Sequence, residues 1–294
     1  MDSLIEKFQV KENYNLVIDD LDPAFTGDLN KDDGEEILMR QKAELRDLQE
    51  KLYVSQDHAL LIILQAMDAG GKDSAIEHVM SGVNPQGCIV HNFKQPSLDE
   101  LKHDFLWRHA KAAPKRGMIG IHNRSHYENV LVTKVHPELV LNENIAGYSK
   151  LEDLNEKFWK ERYESIRNFE KHLYLNGTVI LKFFLRISQD EQKERFLKRI
   201  EEPDKNWKFS YGDIQERSHW EAYMKAYETA ISETSVEHAP WYVIPADKKW
   251  FARIAIISII VDKLKGLSLT LPTLSEQERQ YLEKGKKELL EEKN

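Results

Sequence analysis

Residues 60–74 read LLIILQAMDAGGKDS. An apolar run suited to a buried parallel strand ends in a short Gly-containing loop that carries a lysine. The loop leads into a helical pattern at Ala75, Ile76, Val79 and Met80. Strand, Gly-rich turn, lysine and helix together make a cradle for phosphate. Backbone N–H groups and the helix N-terminus face the anion, and the lysine adds a full positive charge.

Set against the pattern G-x-x-x-x-G-K-[ST], Gly71 and Lys72 fit, Ala66 stands at the first Gly, and Asp73 replaces the hydroxyl residue. The plain alternative is an ordinary strand-to-helix turn with a surface lysine. The departures carry information. Asp68 lies inside the loop, where a carboxylate repels phosphate unless a hard cation such as Mg²⁺ sits between them. Metal-bridged phosphoryl chemistry is therefore favoured over simple anion binding, with Asp68 as the first candidate metal ligand. Asp73 and Ser74 are read first as helix caps and second as phosphate contacts, together with the backbone of Ala69, Gly70 and Gly71.

Working outward, five strands are expected, over residues 59–64, 88–93, 117–122, 178–187 and 241–245. Helical patterns over 35–53, 98–112, 151–175, 189–200, 213–229 and 251–264 lie around and between them. Strands alternating with helices imply βαβ units and an α/β fold whose central parallel sheet has helices on both faces. Ligands in such sheets bind at the carboxyl ends of the strands. Residues 1–34 are polar and turn-rich and are read as an irregular N-terminal arm. The domain spans 35–268, and residues 269–294 form a charged C-terminal helix or tail.

The second informative segment is MIGIHNRSHYEN, residues 118–129, where an apolar run ends in a dense polar cluster. Arg124 could clamp phosphate oxygens bidentately, and Glu128 could hold a metal or a substrate group. Asn123 stands where a metal-binding Asp is common after such a strand, so a water-mediated or substrate-side role is assigned to it. The bland reading is an Arg124–Glu128 salt bridge at a strand end. The third segment, residues 195–217, places Arg195, Lys198 and Arg199 on one helix face and breaks at Pro203. It then flanks Trp207 with Lys205 and Lys208 and reaches Arg217. Helix, break and helix with basic residues suits a mobile lid over phosphates, at about 195–228. Glu191, Glu194, Glu201, Glu202 and Asp204 dilute the basic stripe, so a salt-bridged surface hairpin is the competing reading.

The whole chain bounds the rest. It has 294 residues, 41% of them hydrophobic, enough for one sizeable core. The formal net charge is −8, so nucleic-acid binding through a general basic surface is not expected. A polyanion would need a local basic patch in an acidic protein. A single cysteine, Cys88, excludes an internal disulfide framework and reads as a small core residue. No apolar run is long enough to span a membrane, and residues 1–14 lack the apolar core of a signal peptide, so a cytoplasmic protein without a membrane partner is expected. The 11 histidines show no metal-ligand spacing such as H-E-x-x-H; His122 and His126 are merely four apart, and zinc is not expected.

Taken in order, AMDAGGKDS (66–74), IHNRSHYENVLVTKVHP (121–137), KNWKFS (205–210) and APWYVIPADKKW (239–250) resemble the second polyphosphate kinase family, the polyphosphate:nucleotide phosphotransferases. The likeness covers residues 35–265. The family's loop usually reads D-A-A-G-K, so Gly70 and Ser74 are small departures. The resemblance implies a P-loop kinase-like three-layer fold with a helical lid, Mg²⁺ (with Mn²⁺ as a substitute) and inorganic polyphosphate as phosphoryl donor. It implies Asp68 as the loop carboxylate near metal and phosphate, Lys72 as the loop lysine and Arg124 as the phosphate-binding arginine. Arg199, Lys205, Lys208 and Arg217 match the lid. The N-R-S-H-Y-E form, with Asn123 and Glu128, is similar to the group called class III, which phosphorylates both mono- and diphosphates. AMP and ADP are then the acceptors, and a homodimer or homotetramer is the implied assembly. An ATP-dependent monophosphate kinase and a non-catalytic polyphosphate or nucleotide sensor are the rival readings.

Overall fold

Every residue of strand β2, Ala59–Gln65, is buried, and so is almost all of β5, Thr178–Arg186. Strands this apolar on both faces are stable only when helices cover both. The computed structural model, which describes residues 2–292, shows that arrangement. The first residue of the expected arm and the last two of the expected tail lie outside the described residues.

The other strands are β1 (Gln9–Val10), β3 (Cys88–Asn92), β4 (Ile119–Asn123) and β6 (Trp241–Pro245). They form one sheet in the order β1-β6-β5-β2-β4-β3. The five expected strands are parallel, with β2 between β4 and β5. The short β1 is a sixth, antiparallel to β6. The chain runs from β2 toward β3 and β4 on one side, then crosses to β5 and β6 on the other. The carboxyl end of β2 is thus a topological switch point, where a crevice opens.

The helices are α1 (Asp2–Phe8), α2 (Lys31–Ser55), α3 (Lys72–Val79), α4 (Trp107–Lys111), α5 (Glu128–Val135), α6 (Glu138–Leu141), α7 (Glu156–Leu175), α8 (Gln189–Glu201), α9 (Tyr211–Arg217), α10 (Trp220–Thr234), α11 (Lys249–Gly266) and α12 (Glu276–Glu291). Helix α11, apolar nearly all round, packs on α2 and α3, while α5, α7 and α10 pack on one another. No described helix is long and apolar enough to cross a membrane.

Three details differ from expectation. The segment 5–33 packs against the domain, although its backbone over most of 11–30 is irregular. Phe8, Phe25 and Phe251 meet edge to face, and the backbone of Ile18 bonds to Glu228 and Arg186. Residues 98–112 do not make one helix. Asp104 turns its carboxylate onto the Leu106 amide at 2.9 Å, a local bond that competes with helix, and leaves a 3-10 turn followed by the short α4. Cys88 sits on the edge strand β3, partly exposed rather than in the core, with its thiol pushed up to about 11 by burial.

Candidate active site

The loop between β2 and α3 folds tightly because of its composition. Ala69 and Gly71 have φ of +59° and +98°. A methyl group on Gly70 would come within 2.5 Å of the Ala66 Cβ and 2.7 Å of the Met67 carbonyl oxygen. The alanine common at this position in the resembled family therefore does not fit this loop without a backbone shift. Lys72 opens α3 and is nearly buried. Its Nζ donates to the carbonyls of Ala66 (2.7 Å) and Met67 (3.5 Å). Burial, then the Arg124 charge, lowers its pKa.

The end of β4 lies alongside. Arg124 has φ of +61°, a left-handed conformation that costs a non-glycine residue free energy unless its surroundings enforce it. They do: its amide bonds to Leu64 O at 3.1 Å, and the next residue, Ser125, accepts from Gln65 Nε2 at 3.1 Å. The Arg124 guanidinium reaches Asp68 Oδ1 at 2.8 Å. The ion pair is thus with Asp68, not the Arg124–Glu128 bridge that a bland reading of the segment offered. Burial works against the Arg124 charge, yet Glu128 and Asp68 outweigh it and hold its pKa up.

Asp73 and Ser74 do not cap α3, whose N-cap Gly71 has no side-chain bond. Asp73 accepts from Asn123 Nδ2 at 2.6 Å, and Ser74 Oγ accepts from Arg253 at 2.8 Å. Asn123 also donates to Asn92 Oδ1 at 2.7 Å. These side chains bind the loop to its neighbours instead of finishing a helix.

The 195–228 segment arches over this point. Its base is tied to the loop: Gln192 Nε2 donates to Asp68 O at 2.9 Å, and Arg195 Nη1 to Ala69 O at 3.0 Å. Arg199 pairs with Asp213 at 3.3 Å. Lys205 is joined to Glu202, and Lys208 lies 4.9 Å from the Trp207 ring centroid. Arg217 is not brought into the site. It donates to Gln189 O and Gln192 Oε1, both at 2.7 Å, and braces α8 against α9.

Two cavities meet here. A cleft of about 650 Å³ runs over the loop and under the arch. Nine Lys or Arg line it against three Asp, in a protein of net charge −8. Its basic residues include Lys72, Arg124, Lys198, Arg199, Lys205 and Lys208. The second cavity, about 500 Å³, has the opposite character: seven Asp or Glu line it against three Lys or Arg, with Phe93, Phe105, Tyr223 and Tyr227 among its walls. Asp68, Phe93, Lys94, Arg124 and Asp213 belong to both. Reading the sequence alone missed this second chamber. Its walls come from stretches as distant as 93–108, 124–143 and 213–227, and no one stretch carries a signal.

At the junction the Asp68 charge acts on both Glu128 and Asp213. Burial raises the Glu128 pKa, against the pull of Arg124 and Lys72. Burial, then the Asp68 charge, raises that of Asp213. Asp68, Glu128 and Asp213 carry the hard oxygen donors that a divalent ion such as Mg²⁺ takes.

The family model described as Polyphosphate kinase 2 matches residues 28–272. The chain is 49% identical over 261 residues to the ADP-polyphosphate phosphotransferase of Rhodopseudomonas palustris, covering 89% of each chain. It is 43% identical over 272 residues to the AMP/ADP-polyphosphate phosphotransferase of Meiothermus ruber, covering 91% of this chain and 96% of the other. The crystal structure of Polyphosphate Kinase 2 from Arthrobacter aurescens superimposes with a TM-score of 0.86 at 39% identity, covering 96% of both.

Proposed function

Because this chain belongs to the polyphosphate kinase 2 family, we propose that it transfers a phosphoryl group from inorganic polyphosphate to AMP and to ADP, giving ADP and ATP. The observation that carries the reading is the pair of cavities. The basic cleft suits a long polyanion, the acidic and aromatic chamber suits a nucleoside, and Asp68 and Arg124 stand where the two ends meet. Carboxylates such as Glu216 can accept hydrogen bonds from ribose hydroxyls or an exocyclic amine, and aromatic walls can stack on a base.

The chemistry asks little of covalent catalysis. The acceptor is a nucleotide phosphate oxygen, already ionised at neutral pH, so no strong general base is required. The terminal phosphoryl group passes in line to it, and the reverse reaction lengthens the chain. Lys72 and Arg124 neutralise charge that spreads over the transferred group. Lys198, Arg199, Lys205 and Lys208 hold the donor from the side of the arch. The buried loop bonds keep these groups placed before substrate arrives. Asp68, with Glu128 and Asp213 beside it, would hold Mg²⁺, which when bound supplies further positive charge to the phosphates. Similarity to the dual-named Meiothermus ruber relative, together with Asn123 and Glu128, supports both acceptors.

The test is product formation from AMP, Mg²⁺ and polyphosphate with no ATP added, resolved by chromatography. ADP followed by ATP is expected. ATP from ADP but nothing from AMP would remove the monophosphate acceptor. No product from either, with turnover restored by ATP as donor, would replace polyphosphate altogether. In the same assay, Lys208→Ala is expected to raise the polyphosphate KM about five-fold, the scale of a partly exposed contact of about 1 kcal/mol. The AMP KM should stay unchanged, and the difference should shrink as salt screens the contact.

A further inference from the structure

Behind the strand that ends in Asn123 and Arg124, three histidines from separate elements converge: His109 on α4, His122 in β4 and His126 just after it. All three are fully buried. One ring nitrogen of each lies within 4.8 Å of those of the other two. The ring centroids of His109 lie 5.7 Å from His126 and 6.2 Å from His122.

The hydrogen bonds fix most of the tautomers. His122 Nε2 faces the Ala112 carbonyl at 3.2 Å and must donate to it. His126 Nε2 donates to the Glu170 carboxylate at 3.2 Å. The Nδ1 atoms of both therefore present lone pairs, and both are buried without a partner, as is Nδ1 of His109. Unsatisfied lone pairs in a dry interior are costly and call for an electron-pair acceptor. Two of the three rings already have the outer partner that orients a metal-bound histidine, one a carbonyl and one a carboxylate. Burial lowers the pKa of His122 to about 3 and that of His109 further, which keeps both rings in the neutral, ligating form.

We propose that His109, His122 and His126 form a buried three-histidine site for a borderline transition-metal cation of the Zn²⁺ class. Imidazole selects such ions over Mg²⁺, which prefers oxygen. Metal–nitrogen bonds of about 2.0–2.1 Å in a tetrahedral arrangement put ligand nitrogens about 3.4 Å apart, so the rings must close by roughly 1 Å. That closure would fall on the side chains and on α4, which is only five residues long. His109 must also present Nδ1 as a lone pair. Its Nε2 now accepts from Arg108 Nε at 3.3 Å, so binding shifts the ring proton to Nε2 and turns that guanidinium edge away. Arg108 keeps its bond to Lys94 O at 2.9 Å. A bound ion would fasten α4, whose Arg108 walls the acidic chamber, to the strand that delivers Arg124.

The test uses the whole chain, stripped with a chelator, exposed to Zn²⁺ in excess Mg²⁺ and passed through a desalting column. One zinc retained per chain is expected, with a raised melting temperature, and Co²⁺ in its place should give the strong visible bands of a tetrahedral nitrogen-rich site. His109→Gln should lose the zinc and the bands, and Asp68→Asn should keep both. Wild-type protein that retains no zinc overturns the site, with no variant needed. Zinc retained by His109→Gln and lost by Asp68→Asn overturns it too, by placing the ion at the carboxylates.

Discussion

Asp68→Asn and Lys72→Ala are each expected to lower turnover by about 100-fold or more, with the fold retained. That is the usual scale for removing one placed electrostatic stabiliser, about 2.7 kcal/mol of barrier. The two losses arise differently. Asn at 68 keeps a side-chain oxygen for the Arg124 bond, seen at 2.8 Å, but removes the charge that would face a cation. Ala at 72 removes the cation proposed to stand next to the transferred group and also the Nζ bonds that close the loop on Ala66 and Met67. Lys72→Gln loses the charge but keeps an N–H donor, and Lys72→Met keeps the stem but loses both charge and bonds, so the pair separates the charge from the loop bonds. Steady-state rates with polyphosphate and AMP, read beside melting temperatures, decide the matter. Two well-folded variants with near wild-type turnover would remove Asp68 and Lys72 from the chemistry.

What was legible in the sequence follows from how local each signal is. The run at 59–65 is all apolar and ends in Gly and Lys, so strand, loop and phosphate cradle could be read from one stretch; Trp241–Pro245 was legible for the same reason. The arm was not. Strand β1 is two residues long, and its partners are Trp241 and Tyr242, more than 230 residues away. The arm buries Phe8, Val10 and Ile18, but these sit among polar residues with no period. At the site, the loop, Arg124 and the arch were each visible as motifs. That Arg124 would choose Asp68, that Arg217 would brace helices, and that acidic residues from three distant stretches would enclose a second chamber depends on tertiary placement alone. The histidine cluster is similar: the four-residue spacing of His122 and His126 says nothing until α4 brings His109 beside them.

Lys182 is the clearest case of a residue whose meaning appears only in three dimensions, and it leads to the second large effect. It interrupts the apolar strand TVILKFFLR, yet its side chain is fully buried. Its Nζ donates to Glu170 Oε2 at 2.6 Å, to the Tyr127 hydroxyl at 2.9 Å and to Thr234 O at 2.8 Å. Glu170 Oε1 accepts in turn from Tyr127 at 2.9 Å and from His126 at 3.2 Å. Burial alone would push the Glu170 carboxyl up, but Lys182 and His126 outweigh it and keep the pKa low. The pair therefore ties α7 and β5 to residues 126 and 127, between Arg124 and Glu128. Glu170→Leu strands an ammonium in the core and is expected to cost about 3–5 kcal/mol, read as a lower urea midpoint. Glu170→Leu with Lys182→Met removes both charges and should recover most of that stability, because the favourable part of a buried pair is largely offset by desolvation. Activity should not recover with it. The double variant still lacks the bonds that hold His126 and Tyr127, so Arg124, with its φ of +61°, loses part of what enforces its conformation. A single variant within about 1 kcal/mol of wild type, the range of an ordinary substitution, would show that the network is incidental. A double variant with both stability and turnover restored would show that it supports the fold without positioning the site.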